Sequence, residues 1–254
     1  MIRLVLSGLR IHFIQLSRSS NDMVAMTLWP ILYATLAYYL FGVHSDARVL
    51  FSASLGATVM AIWGSVTTGS SFALDAQRRY GTLELLVAAP VPFIAVLAPI
   101  TIATASIGIY ALATTLLWGW LIFGIPVHLI HPLLFVAAVP TAIVAIGMLG
   151  LLIATTIVVY RAAGFLGNSL EYPGWLITGL LVPLSVLPAW VRPIAWMLAP
   201  TWGMRAIRHA ALGGNALPDI GACLGLSLTY ALLALLFIRG FEHLARRRAT
   251  LALS

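Results

Sequence analysis

The chain has 254 residues, of which 61% are hydrophobic and only 8% charged, with a mean hydropathy of +1.03. A soluble domain carries roughly a quarter charged residues, so a water-soluble globule is excluded and the length is better counted in membrane spans. The net charge of +7 comes from arginines at the ends of apolar runs, a pattern of orientation signals and contact with anionic lipid rather than nucleic acid.

Taken in chain order, Ile2, Val5, Leu6, Leu9, Phe13 and Leu16 fall at helical spacing. Arg3, Ser7, Arg10 and Gln15 lie largely elsewhere on the wheel, which predicts an amphipathic interface helix over residues 1–20. The apolar pattern there is interrupted, unlike a cleaved signal peptide. A crossing helix needs about 20 mostly apolar residues. Met23 to Val43 supplies the first span, and Val49 to Leu74 the second, after the polar turn His44–Arg48. A segment dense in charge follows, "FALDAQRRYGTLELLVAAPVP".

From Leu85 to Tyr160 there is no formal charge. As one helix this run would measure on the order of 110 Å, so it must break at "FGIPVHLIHP". The third span is then Phe93–Phe123 and the fourth Leu133–Val159. A fifth runs from near Gly164 to about Leu187, and a sixth from Ile220 to Ile238. Between these two, Pro183 to Gly214 is too broken for a span and too apolar for a plain loop. Its Pro and Trp content predicts an outer re-entrant or interfacial helix pair over residues 188–214. The fold class expected is all-α integral membrane, a single domain over residues 1–254 with six transmembrane helices.

Arginine placement orients the spans. Arg3, Arg10, Arg18, Arg78, Arg79, Arg161, Arg239, Arg246, Arg247 and Arg248 fall on one side, and Arg48, Arg192, Arg205 and Arg208 on the other. The richer side is cytoplasmic, which puts both termini inside. Basic residues that are all arginine, with abundant Ala, Gly, Leu and Pro, suit a GC-rich bacterial genome and hence a bacterial plasma membrane.

Three stretches in this layout resemble the membrane subunits of ABC-2 type exporters, above all the drug-resistance and nodulation-factor type. They are "RRYGTLELLVAAPVP", "GLLVPLSVLPAWVRPIAWMLAPTW" and the basic N-terminal helix. The family often has an acidic residue just before the Gly-Thr pair, where this chain reads Gln77-Arg78-Arg79-Tyr80. The resemblance implies a cytoplasmic coupling helix over residues 75–90 that docks on a separate ABC ATPase. Asp75, Arg78, Arg79, Gly81, Thr82, Leu83 and Glu84 carry that contact. Physically, Gly81 permits a sharp turn, Thr82 caps the following helix, and Pro90 and Pro92 end it. The resemblance further implies a second permease copy or a paralogous permease as partner, surrounding membrane lipid, and multidrug or antibiotic efflux. On this reading Asn168, Glu171, Pro183, Pro188, Trp190, Trp196 and Trp202 line a substrate path or gate.

The chain itself lacks catalytic machinery. A phosphate-cradling Gly-x-x-x-x-Gly-Lys-[Ser/Thr] loop is impossible without lysine, so no cofactor is expected on this chain, and ATP and Mg belong to the partner ATPase. His128 and His131, spaced i, i+3, have no acidic or thiol neighbour and read as interfacial polar residues rather than metal ligands. Cys223 reads as a packing residue, and "WGSVTTGSS", Trp63 to Ser71, as a helix–helix contact of small residues. Glu171 is the main ionisable residue inside a span, either paired with Arg161, lining a path, or simply cytoplasmic. Arg205 and Arg208 face lipid phosphates or an anionic substrate. An ion-gradient transporter would need midplane charges and often inverted repeats. An intramembrane lipid enzyme would need polar groups converging at one depth. The leading expectation is a permease for an amphipathic or hydrophobic cargo such as a drug, antibiotic or lipid; a glycan or lipo-oligosaccharide is the alternative cargo.

Overall fold

The computed structural model describes residues 20–41, 46–79, 81, 94–159, 171–180, 184 and 186–248, together with residues 7, 10 and 14. Seven helices follow one another among them: α1 (Ser20–Phe41), α2 (Ala47–Arg79), α3 (Ile94–Phe123), α4 (Pro132–Val159), α5 (Val191–Trp196), α6 (Ala199–Leu212) and α7 (Leu217–Arg248). A further helical stretch covers 171–177. No strand occurs among the described residues, as expected where lipid forces every span to satisfy its backbone internally.

Among the described residues, four helices are long and apolar enough to cross a bilayer: Ala47–Val66, Thr101–Phe123, Pro132–Thr156 and Leu217–Gly240. They coincide with the second, third, fourth and sixth expected spans. The apolar part of α1, Thr27–Phe41, is shorter. The fifth expected span differs more. Its first residues lie outside those described, and its helix ends at residue 177, short of Leu187. Thr178 turns its hydroxyl back to the Gly174 carbonyl at 2.6 Å, and Gly179 takes φ +78, a left-handed stop that suits glycine. The expected break between the third and fourth spans is present, with residues 124–131 non-helical.

Side chains seat into glycine notches, as membrane helices require where oil-like lipid offers no hydrophobic drive for them to associate. Ile62 and Val66 of α2 lie so near Gly108 of α3 and Gly150 of α4 that a methyl group there would meet them at 2.8 and 2.2 Å. Ala142 of α4 meets Gly203 of α6 in the same way, at 2.9 Å. The first helix is held to α3 by the Trp118 indole N–H, which donates to Thr35 Oγ1 at 3.1 Å, and by stacking of Tyr38 on Phe123 with ring centres 4.0 Å apart.

One end of the bundle gathers several loops. The Ile130 and His131 amides donate to the Ala211 and Ala210 carbonyls, both at 3.0 Å. Arg48, at the start of α2, donates to the Leu212 carbonyl at 2.5 Å. The far ends of α2 and α7, carrying Arg79 and Arg248, therefore lie at the opposite end.

Candidate functional site

The α5–α6 pair occupies the place where the sequence predicts an outer hairpin. Helix α5 closes at Trp196, and the backbone turns through Met197 and Leu198 into α6, which starts with a proline in its first turn. Helix α6 buries one face completely, with Ala199, Met204, Ile207 and Ala211 inside. Its C-terminal end adjoins Leu217, where α7 begins. Its N-terminal end meets Tyr230, whose hydroxyl accepts from the Ala199 amide at 3.2 Å and donates to the Met197 carbonyl. From Leu217 to Tyr230 is roughly 20 Å of helix, so the turn between α5 and α6 lies that far along α7.

Charged groups fix this pair. Asp219, only 2% exposed, takes Arg205 Nε at 3.3 Å and His209 Nδ1 at 2.5 Å. It stands in the first turn of α7, where the helix dipole favours a carboxylate. Arg205 also lies 4.8 Å over the Trp202 ring, and the Trp202 indole donates to the Trp196 carbonyl at 2.7 Å. Arg208 points the other way. Its two terminal nitrogens donate to the Gly179 and Leu180 carbonyls, each at 3.2 Å, tying α6 to the backbone just beyond the 171–177 stretch. That backbone presses on α2, where a methyl group at Gly56 would stand 2.5 Å from the Leu180 oxygen.

A cavity of about 390 Å³ opens between these elements, with Thr178, Arg192, Trp196, Thr201, Arg205 and Arg208 on its walls. Among the described residues no three His, Cys, Asp or Glu side chains cluster as metal ligands do.

Residues 3–212 match the ABC-2 type transporter family. The chain belongs to that family. The match spans most of the chain and stops at the end of α6, so α7 lies beyond it. A comparison with curated proteins finds none that matches.

The residues singled out from the sequence of this ABC-2 chain fall into separate places. Asp75, Arg78 and Arg79 stand in the last turns of α2, which continues unbroken to Arg79 instead of yielding to a new helix at residue 75. No proline interrupts α2, and a helix leaving lipid for water meets no barrier to continuing. Gly81 is exposed in a turn with φ +67, the sharp bend expected of it. Thr82, Leu83 and Glu84, with the rest of 82–90, lie outside the described residues, as do Asn168, Pro183 and Arg161. Of the expected interface helix, Ser7, Arg10 and Ile14 are described, all helical and exposed, and its last residue, Ser20, opens α1.

Glu171 is buried at the start of the 171–177 stretch, its carboxylate against α2, where a methyl group at Gly64 would meet Oε1 at 2.7 Å. Its carboxylate therefore packs inside the bundle. Trp175 nearby meets Tyr33 edge-on with ring centres 5.2 Å apart, so Glu171 sits in an aromatic setting apart from the cavity walls. Trp196 and Trp202 are brought together with Arg205, whereas Pro188 and Trp190 are exposed, Trp190 at 70%. The sequence reading missed Asp219, His209 and Tyr230, whose partners sit in a different helix. It had singled out Trp196, Arg205 and Arg208 but passed over Arg192, which pairs with Trp196 at i, i+4, and Thr201 and Met204, which share a face with Arg205 and Arg208 at i, i+3, i+4, i+7.

Proposed function

We propose that this chain is the permease subunit of an ATP-driven exporter, moving an amphipathic or hydrophobic cargo outward and powered by a separate cytoplasmic ATPase. Six spans with both termini cytoplasmic remain the proposed topology, with α1 and the segment ending at residue 177 as the first and fifth. The observation that carries the reading is the layout of α2. It runs well past its apolar stretch, ending in Asp75, Arg78 and Arg79 and a left-handed turn at Gly81, at the end of the bundle opposite the α6–α7 loop. A rigid helix that protrudes and then turns is a lever on which a motor can push. Arg246, Arg247 and Arg248, at the end of α7, share that side and agree with a cytoplasmic placement.

The re-entrant placement of the α5–α6 pair, with its turn roughly 20 Å along α7, is supported by the Tyr230 contacts. Such a pair would gate the outer mouth of a path formed by two permease subunits, either two copies or two related chains. Ion-gradient drive has no comparable support among the described residues.

Co-expression with an ATPase encoded beside this chain is expected to yield a stable complex. Charge reversal by Arg79→Glu together with Glu84→Arg should lower its ATP turnover several-fold while leaving the permease folded. Unchanged assembly and turnover, or cargo movement that survives complete ATP depletion, would overturn the reading.

A further inference from the structure

We propose that the cavity between α5, α6 and the backbone beyond residue 177 is an oxyanion site that holds the phosphate of an anionic amphiphile. Three arginines line it, and of these Arg205 alone meets a carboxylate among the described residues. Asp219 is engaged by Arg205 and His209. No carboxylate stands within ion-pair distance of Arg192 or Arg208 among the described residues. Arg208 spends two donors on neutral carbonyls, while its Nε–H is buried without an acceptor. A guanidinium keeps its charge inside proteins.

A second donor points the same way. Thr201 is 1% exposed, yet its hydroxyl has no partner. A helical threonine ordinarily turns back to a carbonyl three or four residues earlier. The Leu198 carbonyl takes the Thr201 amide, and the Met197 carbonyl takes Tyr230.

A half-buried cation with a buried Nε–H and a buried hydroxyl on one wall each cost free energy unless an acceptor reaches them. Water accepts hydrogen bonds but brings no countercharge, whereas an oxyanion supplies both. The cavity has the size of a small-molecule site, about 300–1,000 Å³. Trp196 and Met204 add apolar wall, so the headgroup has an apolar continuation beside it. That chemistry fits a phosphate on an acyl tail better than a free ion. The inference concerns binding by this chain alone; only its location on the outer face rests on the permease reading.

The test uses the purified full-length chain in non-ionic detergent, with bound lipid counted by native mass spectrometry. Phosphatidylglycerol, phosphatidylcholine and inorganic phosphate are the probes. Saturable retention of phosphatidylglycerol over phosphatidylcholine is expected. Arg192→Gln should weaken it about tenfold, Arg208→Gln at least as much, and Arg239→Gln, exposed and distant, should leave it unchanged. Should Arg208→Gln fail to fold, the exposed Arg192 variant still decides. Competition by inorganic phosphate at equal concentration would assign the site to a free oxyanion, and its absence to the lipid headgroup. Equal retention of both lipids, or retention unaffected by Arg192→Gln, would overturn the site. Because no ATPase is present, either failure leaves the permease reading untouched.

Discussion

At Gly56 the absence of a side chain is a matter of clearance. A methyl group there would stand 2.5 Å from the Leu180 carbonyl oxygen and 3.4 Å from an Arg208 amino group. Arg208 itself grips that carbonyl, so the backbone has nowhere to withdraw. Gly56→Ala is expected to cost about 1–3 kcal/mol, visible as a lower thermal midpoint in detergent. Gly221→Ala is the matched comparison. Nothing lies within 4 Å of its added methyl, and alanine gains up to about 1 kcal/mol of helix propensity, so its midpoint should hold or rise. Equal losses from both would show that these glycines matter through backbone freedom and not through contact. At this scale the sequence was legible where a residue acts alone. Gly81 announces its turn and Gly124 its helix break. It was silent where a residue acts on a distant one, since nothing near Gly56 in the chain foretells Leu180.

Between elements, the α5–α6 pair is joined to α7 by two polar links at its two ends. Tyr230 holds the turn between α5 and α6, and Asp219 holds the C-terminal half of α6. Tyr230→Phe removes the donor to Met197 and the acceptor for the Ala199 amide, and is expected to cost about 1–3 kcal/mol. Asp219→Asn leaves Arg205 and His209 without their carboxylate. Those partners are about 40% exposed, so water recovers part of the loss and the cost should be smaller than for a fully buried pair, about 1–2 kcal/mol. Differential hydrogen exchange would separate the two. The phenylalanine variant should loosen residues 196–200, and the asparagine variant residues 205–219. Uniform loosening of all helices by either would argue against local tethers. The sequence indicated that a Pro- and Trp-rich helix pair stands here, since tryptophan and proline mark segments that neither span nor float free. Its attachment to α7 was not readable, because Tyr230 looks like any aromatic in an apolar run.

For the whole molecule, the two ends of the bundle should face opposite sides of the membrane. Cys223 is the single cysteine and fully buried, so an added cysteine can be labelled without background. Leu217→Cys, at the exposed start of α7, should react with a membrane-impermeant maleimide on intact cells. Arg246→Cys, at the far end of the same helix, should react only after the membrane is opened. The reverse pattern would turn the molecule over and place the Gly81 turn outside, beyond reach of any cytoplasmic ATPase. What the sequence by itself determined was the class of protein and the order of the four helices long enough to cross a membrane. In lipid each span must satisfy its own backbone, so length and apolarity, both local properties, suffice to mark it. It also exposed the charged elbow around Gly81, because charge is scarce enough in this chain to stand out. Only the tertiary structure decided where the fifth segment stops, that Glu171 faces Gly64 inside the bundle, and that Arg192, Thr201 and Arg208 enclose one cavity. Those outcomes depend on how each helix is rotated and how closely its backbone approaches the next, and that is settled by contacts between residues far apart in the chain.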